Sequence, residues 1–290
     1  MSPPLFAAVV TFPCLFAVLQ YREGRCCLVI LDQAPIHTPK MSEKVSSVED
    51  LSVLQRIGAG SFATVYISHG GACAFKIVHN PGNTEVIEKE YRTISAIYFS
   101  CNTGSFFRLP RPYAFCDPAT DTLHIDPPSP AKTGYNRCHR PMFTTETFRR
   151  IGITNASYAM DRVFVLPLEF SQPIRELYYP ASFKEASPPS LCRLYFGKVI
   201  DTPQASRFFN SANFPIDLAR YTTLAKTLDL ADIKEVIAGM GDMLARLHWR
   251  GNSDGRDIEW VLGGDGFGGI SYFVIDFNQV HSLYIQLHCH

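Results

Sequence analysis

Residues 54–76, LQRIGAGSFATVYISHGGACAFK, constrain this chain more than any other stretch. Gly58 and Gly60 sit in a short turn between strand-like runs. Val65-Tyr66-Ile67 and Ala74-Phe75-Lys76-Ile77-Val78 flank His69-Gly70-Gly71, which predicts two paired strands. Glycine at such a turn lets backbone N–H groups approach a ligand without a Cβ in the way. Phosphate oxygens are the usual ligand for such amides, and a lysine on the third strand reaches the same phosphates. Strand, Gly-x-Gly, strand, turn and strand with lysine together point to a nucleotide-binding sheet; the plainer alternative is a glycine-rich hairpin. Gly58, Gly60, Val65 and Lys76 are the candidate cofactor-binding residues here.

IGAGSFATVY resembles the glycine-rich loop of eukaryotic protein kinases, and AFKI is similar to their third-strand lysine motif. Ala63 stands where that family usually has its third glycine. The resemblance runs over about residues 50–280 and implies an α+β, protein-kinase-like two-lobe fold: a β-rich small lobe of five strands and a truncated helical large lobe. It also implies ATP and magnesium as cofactors.

Thr84 to Phe99 reads as a helix with Ile87, Ile94 and Ile97 on one face. Glu90 shares that apolar face, whereas Glu88 lies with Thr84, Arg92 and Ser95 on the polar one. A carboxylate on a buried face needs a partner. Lys76 is the candidate, and protein kinases pair these two positions. Residues 106–116, FFRLPRPYAFC, read as a further strand, and the proline-rich segment 117–152 as a loop insertion. Tyr158-Ala159-Met160-Asp161 resembles the strand and hinge that join kinase lobes, with Met160 at the gatekeeper position and Asp161 opening the hinge. An edge strand is the alternative. Residues 171–220 read as loop-rich with short helices, and no chemistry is assigned to them. Leu230 to Arg250 is the clearest helix, with Ile233, Val236, Ile237, Met240, Met243, Leu244 and Leu247 at three- and four-residue steps.

Phosphoryl transfer needs a carboxylate to orient the hydroxyl, and metal ligands on a rigid loop. Residues 251–262, GNSDGRDIEWVL, occupy the expected place but lack the family's histidine-arginine-aspartate triplet. Asp254 or Asp257 is the candidate base. Trp260 stands where the family has its metal-binding asparagine, and Glu259 is the candidate replacement. The alternating run 270–275 ends in Asp276-Phe277-Asn278, similar to the kinase Asp-Phe-Gly, so Asp276 is the candidate magnesium ligand. Fourteen residues follow Asp276, without the segments that carry a peptide substrate in kinases. YAMDRVF, LCRLYFGK, DGRDIEWVLGG and VIDFNQ, across residues 150–280, also resemble a fungal domain family of unknown function often labelled zinc-finger-like.

Lysine plus arginine and aspartate plus glutamate both number 27, so no basic surplus marks a nucleic-acid or anionic-membrane partner. Nine cysteines without a C-x-x-C pair suit reduced thiols in a cytoplasmic or nuclear protein. A zinc site from Cys138, His139, His288, Cys289 and His290 is the alternative, disfavoured because adjacent ligands rarely fit one tetrahedral site. The apolar run 5–20, broken by Pro13, suits a strand pair, a leader or a membrane anchor.

The expected organisation is therefore an accessory leader over 1–45, a small lobe over 46–162 and a partial large lobe over 163–290. The expected function is a degenerate kinase-like domain that binds ATP and acts mainly as an interaction or regulatory module with protein partners. The alternatives are an active divergent phosphotransferase using Asp254 or Asp257, and a non-nucleotide structural interaction domain.

Overall fold

The computed structural model describes residues 7–12, 15–22, 25–30, 54–68, 71–125, 143–200, 209 and 213–282. The chain divides into two compact units, residues 1–49 and 50–290. In the first, β1 (Ala7–Phe12), β2 (Leu15–Arg22) and β3 (Arg25–Ile30) form an antiparallel meander. Its register pairs Val9 with Val18 and Leu19 with Leu28. The apolar run 5–20 thus contains a strand pair. No helix among the described residues is long and apolar enough to cross a membrane.

The second unit is α+β. Its elements in order are β4 (Leu54–Ala59), β5 (Ala63–Ser68), β6 (Cys73–Val78), α1 (Thr84–Cys101), β7 (Pro112–Asp117), β8 (Thr122–Ile125), α2 (Thr145–Arg150), β9 (Ser157–Asp161), α3 (Leu168–Tyr178), β10 (Leu191–Leu194), β11 (Asn213–Ile216), α4 (Leu218–Leu224), α5 (Ile233–Trp249), β12 (Glu259–Gly264) and β13 (Ile270–Ile275). The strands form a six-stranded sheet, β4-β5-β6-β9-β7-β8, and a four-stranded one, β11-β10-β12-β13. The larger sheet is antiparallel throughout. In the smaller, only β10 and β11 run parallel.

Alternation along the strands gives the large sheet two apolar faces. Phe75, Ala114, Cys116 and Ala159 pack with Phe143 and with Phe148 of α2. Val78, Phe115 and Tyr158 pack with Ile87 and Tyr91 of α1 on the opposite face. The buried stripe of α1 is Ile87, Glu90, Tyr91, Ile94, Ile97 and Cys101, the helical spacing expected, and its polar face carries a Glu88–Arg92 ion pair at 2.6 Å. The second half of that stripe joins the other core, with Cys192 and Leu194 of β10, Met243 and Leu247 of α5, and Val274 of β13. One helix therefore holds both sheets.

Three segments differ from the sequence expectation. Of the strand expected over 106–116, only 112–117 joins the sheet. Pro110 and Pro112 lack the N–H a continuous ladder requires, and Arg108 instead bridges to β13, donating to Tyr272 O at 2.8 Å and accepting from Val274 N at 3.0 Å. The large sheet has six strands rather than five, because β8 falls inside the segment read as a loop, as does the helix α2. Asp117 closes the β7–β8 hairpin by accepting from Ala119 N and Thr120 Oγ1. Within 171–220, β10 and β11 add strands where only short helices were expected. β9 lies between β6 and β7, so the edge-strand alternative for residues 158–161 falls.

Candidate functional site

Gly58 pairs with Val65, Val65 with Lys76, and Lys76 with Tyr158 across β4, β5, β6 and β9. Directly paired residues share a face, so this row lies under α1. Lys76 Nζ meets Glu90 Oε1 at 2.6 Å, with the two side chains 11% and 2% exposed. The Tyr158 hydroxyl donates to the same oxygen at 3.2 Å. Burial pushes the Glu90 carboxyl up and Lys76 opposes that rise. Burial and the Glu90 charge push the Tyr158 hydroxyl well above its usual range, which keeps it a neutral donor. Glu90 Oε2 is buried and has no hydrogen-bond partner among the described residues.

Asp276 follows β13 with φ at +65°, a left-handed backbone that non-glycine residues seldom adopt. Its Oδ1 stands 3.4 Å from Lys76 Nζ. Such outliers persist where the surroundings over-determine them, and they cluster at functional sites. Phe277 behind it is buried in the core. On the other side, Lys76 Nζ lies 5.2 Å from the centroid of Phe62. The Phe62 carbonyl accepts from His79 N at 2.9 Å, and Gly60 N donates to Ala63 O at 2.8 Å, so the glycine turn folds on itself above the lysine. A Cβ at Gly58 or Gly60 would meet only Val65 at 3.8 Å or the Ala63 carbonyl at 3.5 Å, which are ordinary contacts. Packing does not demand glycine at either position. What glycine still offers there is close backbone approach by a ligand.

The two candidate bases differ. Asp254 Oδ1 accepts from Arg256 N and His281 N, both at 3.0 Å, and Oδ2 lies 3.3 Å from His281 Nδ1. Burial raises its carboxyl, but the amides of His281 and Arg256 outweigh that and hold it below its ordinary value. Asp254 is thus a clasp between the loop after α5 and the segment after β13. Asp257 is exposed at φ +57° and has no hydrogen-bond partner among the described residues.

Glu259 opens β12 opposite Ile275, the residue before Asp276. Its Oε2 lies 2.7 Å from Arg193 Nη2. Burial raises the Glu259 carboxyl, Arg193 lowers it, and Asp276 raises it further. Arg193 carries no sequence signal: it sits on a four-residue strand inside a proline- and serine-rich stretch. Trp260 packs on Phe107 with centroids 4.6 Å apart. Met160 pairs with Ala74 inside the sheet. Asp161 ends β9, its N–H donates to Arg111 O, and its carboxylate accepts from Arg111 N and the Tyr113 hydroxyl. The Asp161 side chain is therefore turned away from Lys76 and into a local network.

Gly58, Val65, Lys76, Glu90 and Asp276 come together; Glu259 is paired with the residue before Asp276, and Arg193 pairs with Glu259. Asp254 stands apart as a clasp. The set suits a phosphate-bearing ligand: a lysine on the strand after the glycine hairpin, backed by a buried carboxylate. Asp276 and Glu259 are hard oxygen donors in one neighbourhood, and magnesium usually takes one or two carboxylates, completing its shell with phosphate and water oxygens. Magnesium bound there would offset phosphate charge. Among the described residues, no group of three or more histidine, cysteine, aspartate or glutamate side chains is placed to hold a metal ion. The zinc candidates Cys138, His139, His288, Cys289 and His290 lie outside the described residues. A separate cavity of about 400 Å³ lies at the start of α1, lined by Pro81, Thr84, Glu85, Asp117 and Asn155.

No protein-family model matches the chain, no curated protein matches it, and no solved structure does.

Proposed function

We propose that this chain is a degenerate protein-kinase-like domain that binds ATP at the Lys76 site and acts mainly as an interaction or regulatory module. One observation carries the reading: a buried Lys76–Glu90 pair at 2.6 Å meets an aspartate held at positive φ, Asp276, from 200 residues further along the chain. A purely structural ion pair does not require the strained third member. The folded glycine turn above the lysine, unexplained by packing, supports the same ligand class. Asp254 has both oxygens engaged, which favours binding over transfer. The rival, an active phosphotransferase, rests on Asp257, which is exposed and unpartnered among the described residues.

The test is a thermal melt of the full chain with and without Mg-ATP, beside Lys76→Met. Ligand at 100 times its dissociation constant adds about 2.7 kcal/mol to the folded state. An upward shift that the variant loses supports nucleotide binding. No shift in a folded protein would leave a non-nucleotide interaction domain. Labelled phosphate appearing on added acceptor protein, and lost in Asp257→Asn, would favour the rival.

A further inference from the structure

We propose that Arg193 is a second phosphate-binding cation of the Lys76 site, and that Glu259 withholds it; this rests on the nucleotide reading above. On β10, Arg193 pairs with Val261, two residues beyond Glu259 on β12. Residues two apart on a strand share a face, so the 2.7 Å contact between Arg193 and Glu259 is a diagonal pair on the surface that leads to Asp276. Glu259 pairs with Ile275, the residue before Asp276, and the charges of Asp276 and Lys76 reach its carboxyl.

The guanidinium is fixed from behind. With its amide oxygen turned to Arg193, Asn213 accepts from Nε at 2.6 Å and Nη2 at 3.2 Å. The Tyr195 hydroxyl accepts from Nη1 at 3.4 Å. The side chain is nevertheless 35% exposed. A fork held in place by uncharged partners and open on one side is preorganised for an oxyanion. Its one anionic partner among the described residues is Glu259.

Charge explains why the pair is a store and not a finished site. Lys76 contacts Glu90 and Asp276, and Arg193 contacts Glu259 on the strand beside Asp276, so two cations stand against three carboxylates. The set is net negative by one charge, and that excess weakens its hold on a polyphosphate. Neutralising Glu259 removes that excess and frees Arg193 together. Phosphate oxygens then replace the carboxylate on the same fork.

The experiment measures ATP affinity of the full chain by titration calorimetry, in EDTA and in magnesium, for wild type, Lys76→Met, Glu259→Gln and the double variant Arg193→Ala/Glu259→Gln. Unliganded melting temperatures establish that each is folded, and the double variant avoids a stranded carboxylate. Glu259→Gln should bind ATP in EDTA about tenfold tighter than wild type, the scale of a charged hydrogen bond. The double variant should lose that gain. If the double variant keeps it, loss of charge alone explains the effect and Arg193 has no role. If Glu259→Gln gains nothing, Glu259 withholds nothing. Either result overturns this inference while the wild type's Lys76-dependent binding still stands. If wild type binds no ATP in either buffer, the nucleotide reading falls and takes this inference with it.

Discussion

Lys76 and Asp276, 200 residues apart in the chain, approach to 3.4 Å between Nζ and Oδ1. The lysine belongs to the six-stranded sheet and the aspartate follows the last strand of the four-stranded one. With Glu90 at 2.6 Å on its other side, the ammonium is held between a helix and two sheets.

Lys76→Met should therefore destabilise the fold, by about 3 kcal/mol at neutral pH, because it strands a buried carboxylate. The sign of its pH dependence is specific. Burial raises the Glu90 carboxyl and Lys76 opposes it, so removing Lys76 leaves burial unopposed. The folded variant then binds a proton more tightly than its unfolded chain does. Its deficit is larger at pH 7 than at pH 5 and shrinks as pH falls towards the ordinary glutamate value of 4.5. Urea unfolding at pH 7 and pH 5 reads this directly. Adding Glu90→Gln should recover part of the loss, and a deficit indifferent to pH would refute the assignment.

Phe62→Ala should lower the stability of the unliganded protein by roughly 1 kcal/mol, the scale of a partly buried cation–π contact. It should also speed ATP association, because the ring lies 5.2 Å from the ammonium that phosphates would approach. Stopped-flow binding separates this from a loss of affinity. A slower association rate would mean that Phe62 orders the turn for its ligand instead of covering the lysine.

Asp254→Ala should cost about 1 kcal/mol at pH 7, from carboxylate hydrogen bonds in a part-exposed loop. The Asp254 carboxyl lies below its ordinary value of 3.8 in the folded protein. Its stabilisation is present above 3.8 and is lost as pH falls through the lower folded value. The gap between wild type and variant should narrow in urea unfolding as pH falls below 3.8. ATP affinity should be unchanged, since the clasp stands outside the lysine cluster; a large loss would return Asp254 to the site.

The parts of this site legible in the sequence are those set by local rules. Turn glycines and alternation gave the β5–β6 pairing. Helical spacing put Glu90 on the buried face and Glu88 on the polar one. An alternating run ended at Asp276. The illegible parts depend on long-range pairing between short segments. β10 has four residues and no pattern long enough to read, so Arg193 had no visible partner until β12 lay beside it. Asp254 looked like a free base because its partners, the backbone of His281 and of Arg256, carry no residue-type signal. Pro110 and Pro112 marked where the expected strand had to break, but not that Arg108 would pair with β13.

Two glycines two residues apart in α5 should respond oppositely to alanine. At Gly239 a Cβ would lie 2.7 Å from Phe106 Cδ1 and 2.9 Å from its Cβ, and the helix is buried there. Phe106 is itself packed against Phe107 and Tyr272, with centroids at 5.3 and 4.9 Å, so it has little room to retreat. Overpacking of this kind costs about 1–3 kcal/mol, which exceeds the gain of roughly 1 kcal/mol from replacing a helical glycine. Gly239→Ala should therefore lower stability. At Gly241 nothing lies within 4 Å of the added atom, so only the helix-propensity gain applies and Gly241→Ala should raise stability by up to about 1 kcal/mol. Chemical denaturation of both variants decides it. Two stabilising substitutions would mean that α5 does not press against Phe106, and the seam joining α5 to the residues ahead of β7 would have to be redrawn.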